Sequence, residues 1–117
     1  MYHLNIQSLR NKVDSLDLFL EKHDCDILTL NEHWLCPEEF NLYKPQGFSL
    51  ADIYCRKLPL IRGGSLIFVK SGIDFENVEL TSFCTEQIFE MSAILLSKIK
   101  LLVITIYRTP SSNCVSF

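Results

Sequence analysis

The sequence holds no HExxH, no GxSxG, no CxxC pair and no glycine-rich loop of the kind that cradles phosphate. Those absences remove the common zinc hydrolases, the nucleophile elbow of α/β-hydrolases and the P-loop from consideration. His3, His23 and His33 have no metal-ligand spacing, so a zinc site is not expected. The five cysteines, at 25, 36, 55, 84 and 114, are odd in number and lack patterned spacing. That argues against a disulfide framework and predicts reduced, mostly buried thiols. No apolar run reaches membrane-spanning length, because the longest, over 93–96 and 101–106, is broken by Lys98 and Lys100. The first residues run directly into polar Asn5, Gln7 and Ser8, unlike a signal peptide, and an intracellular, soluble chain is expected.

What is present is the composition of one globular domain: 117 residues, 48% hydrophobic and 21% charged. The net charge of −3 is unevenly spread. Residues 1–40 hold three basic and eight acidic side chains, residues 41–72 five basic and one acidic, and the remainder three basic and five acidic. A basic middle segment in an acidic chain suits either a phosphate-facing surface or a solvated loop.

The periodicities give an α/β order. YHLNI (2–6) predicts a short strand. Leu9, Val13, Leu16 and Leu20 then recur at helical spacing, predicting a helix over 8–23 with Ser8 as its N-cap and Lys22 and His23 at its C-terminal end. A strand over 26–32 follows. Residues 36–62 show no sustained period and contain Pro37, Pro45, Gly47 and Pro59, which predicts a long surface excursion. Further strands are expected at 62–70, 75–83, 88–96 and 100–107, with a tight turn at Ser97–Lys98.

Three polar side chains stand in or at the end of these apolar strands: Asn5 in HLNIQSL, Glu32 in LTLNEHWL and Tyr107 in VITIYRTP. Strand ends are where layered α/β folds build sites. A carboxylate with an amide nearby suits Mg²⁺, which takes oxygen ligands, keeps several waters and is held by one or two carboxylates plus a substrate phosphate. Each residue has a plain structural reading as well. Glu32 could pair with a lysine, Asn5 could cap the helix, and Tyr107 could be a core aromatic with a wet hydroxyl. His33 is expected on the face opposite Glu32 as a structural residue, and Trp34 and Leu35 as anchors of the following loop.

The succession NIQSL (5–9), DILTLNEHWL (26–35), RGGSLIFVK (62–70) and IYRTPSSN (106–113) resembles the endonuclease/exonuclease/phosphatase superfamily. More narrowly, it is similar to the apurinic-endonuclease-like domain of non-LTR (LINE-type) retrotransposons, in order and spacing over nearly the whole chain. The resemblance implies that Asn5 orients the metal site and phosphate, that Glu32 binds Mg²⁺, and that Tyr107 reaches the scissile phosphate. It assigns Arg108, Ser111 and Asn113 to the DNA backbone, and Gly63 and Gly64 to the start of an inner strand. Its partners would be DNA and, in a full-length element, a reverse transcriptase domain on the same polypeptide, acting in the nucleus.

Two departures accompany it. His33 stands where the family more often has threonine, and the Asp-x-Asn and Ser-Asp-His motifs that activate water are absent from residues 1–117. The resemblance therefore implies a partial domain over 1–117, the first half of a four-layer α/β/β/α sandwich, with the inner face of one sheet uncovered. The expected function is that of a fragment of a Mg²⁺-dependent endonuclease that nicks DNA to prime reverse transcription, inactive alone. The alternative is a non-catalytic remnant that binds DNA or protein.

Overall fold

A computed structural model describes residues 1–57, 62–86 and 88–109. The chain runs β1 (Tyr2–Asn5), α1 (Val13–Lys22), β2 (Ile27–Asn31), β3 (Phe48–Tyr54), β4 (Ser65–Lys70), β5 (Glu76–Asn77), a 3₁₀ turn (Thr81–Phe83), β6 (Phe89–Leu96) and β7 (Leu101–Arg108). Sheet A has the order β1-β2-β4-β3, with β1 and β2 parallel and the other pairs antiparallel. Sheet B is β5-β6-β7, antiparallel throughout. This is a mixed α+β fold. No helix among the described residues is long and apolar enough to cross a membrane.

Two cores follow from strand alternation. On its outer face sheet A presents Leu28, Leu30, Leu66 and Phe68 to Leu16 of α1, with Val13 and Leu20 beside it. On its inner face Ile27, Ile67 and Val69 meet Ile94, Leu96 and Val103 of sheet B. The inner faces therefore cover each other, with β4 packed on both β6 and β7. The expectation of an uncovered inner face is corrected: the bare surface is the outer face of sheet B, where Leu102, Ile104 and Ile106 are each exposed by more than two-fifths. Helix, sheet A and sheet B make three layers among the described residues.

The helix starts later than its periodicity suggests, at Val13, and Ser8 does not cap it. Gln7 and Ser8 adopt left-handed backbone (φ 48° and 80°). The Ser8 and Leu9 N–H groups instead donate to the carbonyls of Glu32 and His33, both at 3.0 Å. The left-handed backbone fixed by this pairing is not the extended one an N-cap needs, so no helix starts at Ser8. Within the supposed excursion lies β3, whose register shifts between Leu50 and Asp52 and so breaks the alternation a sequence can show. The strand expected over 75–83 pairs only at Glu76–Asn77. Beyond it the Glu79 carboxylate accepts the Thr81 N–H and starts the 3₁₀ turn instead.

Candidate functional site

Along the interface between the sheets the side chains change character. At one end it is aliphatic. At the other, where β2 and β7 end and β4 and β6 begin, the inward positions are Asn31, Ser65, Glu90, Ser92, Thr105 and Tyr107, all buried. Polar groups without water need partners, and these have them. Ser65 and Ser92 hydroxyls lie 2.7 Å apart. The Asn31 amide donates to the Ile106 carbonyl at 2.9 Å and accepts from the Thr105 hydroxyl at 3.2 Å, tying β2 to β7 across the sheets.

Glu32 follows Asn31 at this end. Its backbone is left-handed (φ 58°), uncommon for a residue with a side chain. Its N–H donates to the Gly64 carbonyl at 2.8 Å and its carbonyl accepts from Ser8 at 3.0 Å, so the strained residue is pinned on both flanks. The half-buried carboxylate lies close to the Tyr107 hydroxyl. Burial first, and then the Glu32 charge, push the Tyr107 phenol above its ordinary value. Tyr107 therefore stays protonated near neutral pH, with its hydroxyl facing the Glu32 charge. Two residues 75 positions apart in the chain meet at one point.

Asn5 closes β1 one strand away, exposed and in register with Asn31. It stands at the same end of sheet A as Glu32, while the amide bonded to β7 is that of Asn31. Arg108 ends β7 opposite Phe89, half-buried, and by strand alternation leaves on the face away from Tyr107. Ser111 and Asn113 lie outside the described residues.

His33 is fully buried, as a structural residue should be, although the left-handed Glu32 means that no extended segment puts it there. Its Nε2 lies 2.8 Å from the Tyr54 carbonyl and its Nδ1 accepts the Leu35 N–H at 2.9 Å. Burial lowers its pKa to about 4, so the ring is neutral and unsuited to act as a base from this position. Leu35 is buried in the helix-side core, whereas Trp34 is half-buried with the Arg62 guanidinium 5.1 Å over its ring.

Sequence reasoning missed Asn31, Arg56 and Glu90. Glu90 is wholly buried, bonded to Arg56 at 2.7 Å and to the Gly64 N–H at 2.8 Å. The signal was present in FEMSAILL, where an acid and Ser92 occupy inward positions ahead of inward Ile94 and Leu96.

Among the described residues no three His, Cys, Asp or Glu side chains group as metal donors. A single accessible carboxylate beside a hydroxyl donor is too sparse for zinc but fits Mg²⁺, which takes most of its ligands from water and phosphate. Neither a scan against protein-family models nor a search of curated proteins finds a match to this chain.

Proposed function

We propose that this chain carries the metal-side half of a Mg²⁺-dependent phosphodiesterase site of the retroelement endonuclease type, acting on the DNA backbone. The observation that carries the reading is the meeting of Glu32 and Tyr107 at the polar end of the two-sheet interface. Glu32 would hold the cation through its carboxylate, with Asn5 on the neighbouring strand end facing phosphate or metal-bound water. When bound, Mg²⁺ supplies Lewis-acid polarisation of a phosphate oxygen and stabilises the leaving oxygen. Tyr107 lies beside Glu32, and once the carboxylate is committed to the cation its single hydroxyl proton would be free to donate to a phosphate oxygen. The strained Glu32 backbone and the buried polar layer behind it give this corner the fixed geometry that positioning a phosphate requires.

Residues 1–117 offer no counterpart to the family's water-activating Asp-x-Asn and Ser-Asp-His motifs. Loss of a general base alone costs on the order of 10²–10⁴ in rate. The chain by itself should therefore bind Mn²⁺ or Mg²⁺ at millimolar concentration or better and leave supercoiled plasmid intact. Glu32→Gln should abolish that binding. A chain indifferent to Mn²⁺ would sink the metal reading, and one that nicks plasmid in a Glu32-dependent manner would sink the claim of inactivity.

A further inference from the structure

The buried pair Arg56–Glu90 has so far been given no role, yet it bonds to the glycine turn beside Glu32 and sits opposite Tyr107. Glu90 sits on β6 directly opposite Tyr107 of β7. One carboxylate oxygen accepts from the Gly64 N–H at 2.8 Å and the other from Arg56 Nε at 2.7 Å. Gly64 in turn accepts the Glu32 N–H at 2.8 Å, and Gly63 accepts the Trp34 N–H at 3.2 Å. The two glycines pass through a slot with no room to spare. A Cβ on Gly63 would come within 2.3 Å of the Arg56 guanidinium, and one on Gly64 within 2.3 Å of His33 Nε2.

Glu32 belongs to sheet A and Tyr107 to sheet B, so their meeting depends on how the sheets are set against each other at this end. Glu90 spans that gap. Its carboxylate is wholly buried and the Arg56 side chain only 10% exposed. Such pairs seldom add stability over an apolar pair of similar volume, because desolvation offsets their attraction. What an ion pair adds here is direction: two fixed acceptor sites, one for the glycine turn and one for the arginine that covers it.

We infer that Arg56 and Glu90 are positioning residues: through the Gly63–Gly64 turn they hold Glu32 against Tyr107 in the geometry that binds the divalent cation. The inference rests on the metal reading for its function and on the cross-sheet contact for its geometry, and each has its own readout.

The test is the double variant Arg56→Met/Glu90→Leu in the full chain, which removes both charges together and leaves no unpaired ion in the core. Mn²⁺ affinity is measured by titration. The metal-free position of Glu32 is read from the ¹³Cζ chemical shift of Tyr107, and folding from the melting transition. A folded double variant should bind Mn²⁺ at least about tenfold more weakly, in the range seen when outer-shell partners of metal ligands are removed. Its Tyr107 signal should move toward that of Glu32→Gln. Unchanged affinity and an unchanged Tyr107 shift would make the pair purely structural and overturn the inference. Should the double variant not fold, Glu90→Gln decides in the same assays, since its carbonyl keeps the Gly64 N–H while its NH₂ opposes Arg56. If Glu32→Gln leaves Mn²⁺ binding intact, the metal reading fails, and the Tyr107 shift alone then judges the positioning role.

Discussion

Lowering the pH from 7 to 5 should cost the folded chain about 2 kcal/mol through His33 alone. The ring is completely buried, and its two nitrogens are already committed. Nδ1 accepts the Leu35 N–H at 2.9 Å, so Nε2 carries the proton and donates to the Tyr54 carbonyl. A second proton would have to sit on Nδ1, facing another donor in a site without water. Burial accordingly lowers the pKa to about 4 from an ordinary 6.5, even though the Tyr54 bond and the nearby Glu90 charge favour the cation. Between those two values the unfolded chain binds the proton and the native one does not. The contribution is therefore complete above pH 6.5, shrinks as the pH falls, and is exhausted near pH 4, where the loss totals roughly 3 kcal/mol. Against a domain stability of about 5–15 kcal/mol this is a large share. Urea denaturation at pH 7, 6 and 5, with His33→Gln as the non-titrating control, isolates the effect from the carboxylates. Wild-type stability should fall about 2 kcal/mol more steeply than the control over this interval. Parallel curves would mean that the imidazole has water or a carboxylate beside it when folded, and the packing argument would be wrong.

Other outcomes follow from the same geometry. Gly64→Ala puts a Cβ 2.3 Å from His33 Nε2 at a φ of +87° and should cost about 3 kcal/mol or more, whereas Gly72→Ala, at φ +97° with nothing within 4 Å, should cost only about 1–2 kcal/mol of backbone strain; thermal melts of the two separate crowding from strain. Asn31→Ala removes the 2.9 Å bond to Ile106 and strands the Thr105 hydroxyl. It should destabilise the chain by about 2–3 kcal/mol and weaken Mn²⁺ binding with it, read by urea denaturation and metal titration. Ile104→Lys with Ile106→Lys, on the bare outer face of sheet B, should change stability by less than about 1 kcal/mol while reducing self-association in sedimentation velocity.

Most strands were legible because their periods are local properties. KLLVITIY and IFEMSAILL announce β7 and β6 to within a residue at either end. Hidden from view was β3, because its period is interrupted at the bulge and because Asp52, far from lying on a solvated loop, accepts the Ala93 N–H at 2.8 Å across the sheets. The start of α1 was misread for a related reason: Ser8 has the side chain of a cap, but pairing with Glu32, 24 positions away, goes with a left-handed backbone that a cap does not adopt. Local chemistry names what a residue can do, and distant partners decide which of those options it takes.

The site shows the same division, and it also shows where more was readable. Glu32 and Tyr107 drew attention one at a time, each as a polar group ending an apolar strand. Their meeting needed the sheets to be stacked, and so did Asn31, Arg56 and Glu90. Yet the inward positions carry a common gradient once strand directions are known. β2 runs Ile27, Thr29, Asn31; β7 runs Val103, Thr105, Tyr107; and β4 and β6, pointing the other way, begin at Ser65 and at Glu90 and Ser92 before reaching Ile67, Val69, Ile94 and Leu96. All four strands turn polar toward one end of the sandwich. Burying that many polar groups is costly unless each is bonded, and nothing in packing two sheets requires it at only one end. The gradient is thus the trace that the proposed site would leave in the sequence. It is spread over four strands, and it marks one end of the fold as distinct before any one of its residues can be assigned a role.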